Sequence, residues 1–99
     1  MRKVKLLEVL SKLDENANPY QRFVQFYEAL GWDKTSPLNP LKIKLNQSAW
    51  TRLVSDEMRR AEKFNMSTLE IGFLWADKGP SADTNVEEGI IIVEEGAFL

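Results

Sequence analysis

The 99-residue chain, 43% apolar and 28% charged with a formal charge of −2, has the make-up expected of one folded domain, 1–99. It contains neither cysteine nor histidine, which excludes disulfides, thiolate nucleophiles, zinc–thiolate sites and imidazole acid–base chemistry. Three tryptophans, five phenylalanines and two tyrosines argue against disorder, and no run approaches the roughly 18 apolar residues of a spanning helix.

Glu8 and Lys12 interrupt the apolar N-terminal stretch and no small-residue cleavage site follows, so the cytoplasm is the expected compartment. Leu6, Leu7, Leu10 and Leu13 fit one face of a first helix, with Glu8 and Lys12 at i,i+4 outside. Asn18 followed by Pro19 is an N-cap with proline at the first helical position. From there Tyr20, Phe23, Val24, Tyr27 and Leu30 make an apolar stripe that Gly31 terminates. Residues 32–40, with two prolines, form an irregular connection. Leu41 to Leu45 alternates apolar with basic, the pattern of a half-buried strand.

Asn46 or Ser48 caps a long helix over 48–64, with Ala49, Trp50, Leu53, Val54, Met58, Ala61 and Phe64 as its apolar positions. Thr68 to Trp75 reads as a strand, with Gly72 a bulge or close-approach point. A polar loop over 77–85 leads to residues 90–93, the strongest strand signal in the chain. The expected fold is therefore α+β: three helices packed on a small antiparallel sheet, in the order α-α-β-α-β-β with a C-terminal β-hairpin. Glu87-Glu88-Gly89 and Glu94-Glu95-Gly96 bracket the last strand as solvated charge that opposes aggregation.

Charge is divided along the chain. Residues 1–63 carry twelve Lys/Arg against eight Asp/Glu, a net of +4, whereas residues 64–99 carry Lys78 against seven acids, a net of −6. The acidic half offers a surface to a basic partner, with Asp83, Glu87 and Glu88 on the loop and Glu94 and Glu95 beyond the strand. The same segment spaces Asp83, Asn85, Glu87 and Glu94 like a calcium loop, but its sixth position is Glu88 where a glycine must turn, and Gly79-Pro80 precludes the incoming helix. No metal site and no cofactor are expected.

Arg52, Arg59 and Lys63, with Arg60 beside them, share one face of the long helix and could meet phosphates. The order of helix, strand, helix and hairpin resembles a winged helix with the 77–89 loop as its wing. Asp56 interrupts that basic face, and the wing would be acidic. Glu57 projects toward the apolar face of the helix, where it is expected to pair with a base from another element or lie at the rim, and would have a raised pKa if desolvated. Trp32, beside Gly31 and ahead of the prolines, is a candidate exposed anchor, and Phe98 and Leu99 are expected to fold back on the core. The chain is expected to be a non-catalytic protein–protein interaction module or small regulator or inhibitor using its acidic C-terminal surface. The alternative is a nucleic-acid-binding regulator using the 48–64 helix. No membrane contact and no enzyme activity are expected.

Overall fold

In the computed structural model, which describes residues 1–32 and 41–95, the chain begins with a strand rather than a helix. β1 (Arg2–Lys5) runs directly into α1 (Leu6–Leu10), which is held there by the Leu6 N–H donating to Gly89 O. Val9, not Leu7, joins Leu6 and Leu13 on the inner face, and Leu7 is exposed. The helix α2 (Pro19–Ala29) starts at a reciprocal cap. Asn18 Oδ1 accepts from the Gln21 N–H at 2.9 Å, and Gln21 Oε1 accepts from the Asn18 N–H at 3.1 Å. It ends in a Schellman turn at Gly31 (φ +99°), whose N–H donates to Glu28 O while the Trp32 N–H donates to Tyr27 O. The face that α2 buries is Pro19, Arg22, Phe26 and Leu30, whereas Tyr20 and Val24 of the expected stripe are exposed. An arginine therefore points into the core.

β2 (Leu41–Leu45) and α3 (Gln47–Lys63) match the expected elements closely. Asn46 caps α3, its Oδ1 accepting from the Ser48 N–H at 3.0 Å, and Asn65 ends the helical region in the left-handed conformation (φ +56°). The expected strand over 68–75 is helical instead. α4 (Thr68–Phe73) continues through a π-helical turn at Leu74–Lys78. Ser67 Oγ accepts from the Glu70 N–H at 3.3 Å, so the Ser-x-x-Glu spacing is the start of a helix. Its apolar run lies on both sides of that helix: Ile71 and Trp75 point inward, and Leu69 and Phe73 point out.

With that strand gone the described residues hold no C-terminal hairpin, and the sheet is mixed rather than antiparallel. β4 (Ile90–Glu95) lies between β1 and β2, antiparallel to both, and β3 (Ser81–Ala82) adds parallel to β2, giving the order β1-β4-β2-β3. The described residues thus form an α+β fold of four helices and four strands, ordered β-α-α-β-α-α-β-β. Pairing Ile43 with Val93 and Leu45 with Ile91 turns these four side chains toward the helices. Phe26, Leu30, Leu53, Ala61, Ile71 and Trp75 meet them in one core. The other sheet face carries Lys3, Lys5, Lys42, Lys44, Ile90, Ile92 and Glu94. No described helix is long and apolar enough to cross a membrane. Phe98 and Leu99 lie outside the described residues, as does the connection beyond Trp32.

The π-helical turn closes tightly on Gly79, where an added methyl would run into the Trp75 carbonyl oxygen and crowd Phe23 at 3.2 Å. Gly79→Ala should cost about 2 kcal/mol or more. Gly89→Ala, at φ +85° with open space around it, should cost about 1 kcal/mol. Urea denaturation of the two variants checks the ranking, and equal losses contradict it.

Candidate functional site

The long helix α3 sets three neighbourhoods: its inner face, a flank against α1 and a flank against α4. On the inner face Glu57 is fully buried, and its partner is Arg22 of α2, itself only 6% exposed. Arg22 Nε donates to Glu57 Oε1 at 2.6 Å and to Oε2 at 3.1 Å, while Nη1 donates to the Asp14 carbonyl at 3.0 Å. Arg60 Nε stands 4.0 Å from Glu57 Oε2, and Arg60 Nη1 donates to Glu15 O at 3.1 Å. Burial pushes the Glu57 carboxyl up from its ordinary value, and the hydrogen bond and charge of Arg22 pull it back. The carboxylate is thus committed to holding α2 and the 14–17 loop against α3.

The acidic residues singled out in the sequence are divided by the fold. Asp83, Glu87 and Glu94 line one depression of about 260 Å³, but Lys3 and Lys44 line it too. Lys44 Nζ lies 3.8 Å from Glu94 Oε1. Asp83 Oδ1 accepts from the Asn85 N–H at 2.9 Å, and Glu88, outside that depression, pairs with Arg52 Nη2 at 3.0 Å. Glu95 ends β4, and its side chain lies outside the described residues. Among the described residues no three acidic groups gather closely enough to hold a metal ion.

The basic face of α3 is similarly interrupted. Arg52 meets Glu88, Arg59 meets Asp56 at 2.5 Å, and Arg60 turns to the Glu15 carbonyl and the buried pair. Lys63 is exposed in the last turn. Trp32 is half-buried and shares a hollow of about 270 Å³ with Phe23, Val24, Tyr27, Leu41 and Lys78. Burial there pushes the Tyr27 hydroxyl up to about 12.

Two features escaped the sequence reading. Arg22 was legible only as a cation at i,i+4 from Phe26, on the face that α2 buries. Leu69 and Phe73 were hidden by the strand assignment, although positions 69, 73 and 76 follow helical spacing. Leu69 is 66% and Phe73 63% exposed. With Val54, Met58, Gly72 and Ala76 they line a wholly apolar hollow of about 290 Å³ between α3 and α4. A methyl at Gly72 would stand 3.3 Å from Met58 Sδ, so the Met58 side chain would have to give by a few tenths of an ångström.

No family model matches the chain, and comparison with curated proteins and with solved structures finds no match.

The raised carboxyl of Glu57 has a consequence with a definite sign. Its contribution to stability is fully present below the ordinary value of 4.5 and is lost as pH rises through the higher folded value. The stability of the wild type relative to Glu57→Gln should therefore shrink as pH is raised from 4 toward neutrality. Urea denaturation of both proteins across that range checks it, and a difference that grows with pH contradicts it.

Proposed function

We propose that the chain is a non-catalytic protein-interaction module that docks a partner helix in the hollow between α3 and α4. The observation that carries this reading is the outward face of α4. A helix apolar on both sides normally has both sides covered. Here Ile71 and Trp75 are covered by the core, while Leu69 and Phe73 stand in solvent beside an apolar hollow. Two large exposed side chains next to a recess are the usual form of a docking anchor. The hollow meets, at Met58, a polar depression lined by Thr51, Arg52, Ser55 and Arg59. The exposed pairs of Arg52 and Arg59 are worth about 1 kcal/mol or less each and exchange readily. The partner is accordingly a helix with an apolar face and an acidic flank.

Two other contact surfaces are less favoured. The acidic set Asp83, Glu87, Glu88, Glu94 and Glu95 would suit a basic partner, but Lys3 and Lys44 stand inside its depression and Arg52 occupies Glu88. A nucleic-acid reading through Arg52, Arg59, Arg60 and Lys63 meets Asp56 and Glu88 among the cations that would touch phosphate. Catalysis would need a reactive group in a pocket, and Glu57 is engaged by Arg22.

The test is an amide NMR titration of the labelled chain with three helical peptides that share one apolar face and differ in flank: acidic, neutral or basic. The acidic peptide should bind tightest, with shifts on Val54, Met58, Leu69 and Phe73. The double variant Leu69→Gln, Phe73→Gln should fold with stability within about 1 kcal/mol of the wild type, since both side chains are exposed. It should bind the acidic peptide about thirtyfold more weakly or worse. Tightest binding of the basic peptide, at Asp83, Glu87 and Glu94, would return the contact to the acidic surface.

A further inference from the structure

The other flank of α3 holds a cleft of about 590 Å³ against α1, inside the range of about 300–1,000 Å³ typical of small-molecule sites. Its apolar wall is built by Leu6, Leu10 and Leu13 on one side and Ala49 and Leu53 on the other. Three arginines line the same cleft, Arg22, Arg52 and Arg60, although Arg52 Nη2 is paired at 3.0 Å with Glu88, which is not among the lining residues. Two carboxylates, Glu15 and Asp56, line it as well, but Asp56 is drawn to Arg59 at 2.5 Å, and Arg59 is not among the lining residues.

Arg22 makes this more than a greasy groove. It is more than nine-tenths buried, and its Nε and Nη1 are used by Glu57 and the Asp14 carbonyl. Its Nη2 makes no hydrogen bond to any described residue. A buried guanidinium whose Nε and Nη1 are fixed from behind, on a side chain that lines the cleft, is preorganised for an anionic oxygen. Glu57 balances one charge behind the wall, and Arg52 and Arg60 stand at the cleft with their own partners close to the protein surface. We infer that this cleft binds a small amphiphilic anion, its apolar body against Leu6, Leu10 and Leu53 and its carboxylate or phosphate head on Arg22, Arg52 and Arg60. The cleft shares Arg52 with the polar depression beside the α3–α4 docking surface, whereas Arg22 and Arg60 line the cleft alone, so Arg60→Gln separates the two sites.

The labelled full chain is titrated below the micellar range with decanoate and decyl phosphate, and in parallel with decanol and decyltrimethylammonium. Saturable shifts on Leu6, Leu10, Ser11 and Leu53 with either anion support the site, and the tighter of the two identifies the head group. The alcohol and the cation should bind about tenfold more weakly or worse, since they lack the charge-assisted hydrogen bonds. Arg52→Gln, an exposed change that leaves the core intact, should weaken the anion about tenfold and leave the alcohol unchanged. Arg60→Gln is the second arm and should act in the same direction. Equal binding of anion, alcohol and cation overturns the inference, as does the absence of shifts at this cleft with both anions. Shifts confined to Leu69 and Phe73 also overturn it, while leaving the docking surface intact.

Discussion

The ion pair between Arg22 and Glu57 is the constraint on which the arrangement of the helices depends. Neither residue can be buried alone, because an uncompensated charge in the core costs several kcal/mol. Arg22 therefore fixes where α2 crosses α3, and its second nitrogen ties the Asp14 carbonyl so that the loop between α1 and α2 follows. Arg60 extends the same network to the Glu15 carbonyl. The pair also engages the carboxylate of Glu57, whose burial raises its pKa. Desolvation would suit a general acid, but a neighbouring guanidinium at 2.6 Å gives it a structural task.

Around that pair α3 acts as a partition. Its inner face meets the sheet through Leu53 and Ala61, its α4 flank leaves an apolar hollow, and its α1 flank leaves a cleft with mixed walls. The two flanks differ because their walls differ. α4 contributes Leu69, Phe73 and Ala76, so that side is dry. The α1 side receives guanidinium groups from two helices, so it has a polar end. The open face of the sheet spreads its lysines across β1 and β2, and the edge strand β1, Arg2-Lys-Val-Lys5, carries charge that discourages strand addition.

Much of this was legible from local chemistry. The Asn18-Pro19 cap, the Gly31 terminator, the alternation of Leu41 to Leu45 and the amphipathic 48–64 helix all appear where the residues place them, because each is determined within a few residues. The 68–75 segment was misread because its apolar residues lie on both sides of a helix, which erases the helical period that an amphipathic element shows. The local signal that survives is Ser67 and Glu70 at capping-box spacing. β1 is too short and too basic to announce itself, and the two residues of β3 form a strand only because β2 lies beside them. For the site, the inward direction of Glu57 followed from helical geometry, but its partner did not, since pairing α2 with α3 is a tertiary event. The acidic residues were correctly placed near one another in the chain, yet Lys3, Lys44 and Arg52 reach them only through sheet register and packing.

The most direct test of this account is a double-mutant cycle with Arg22→Met, Glu57→Leu and the pair together, read by urea denaturation. If the ion pair organises the helices, each single variant loses about 3–5 kcal/mol by stranding a buried charge or an unpaired guanidinium, while the double variant recovers most of that loss. If the two single losses simply add in the double variant, Arg22 and Glu57 are not coupled and the helices are held by apolar packing alone.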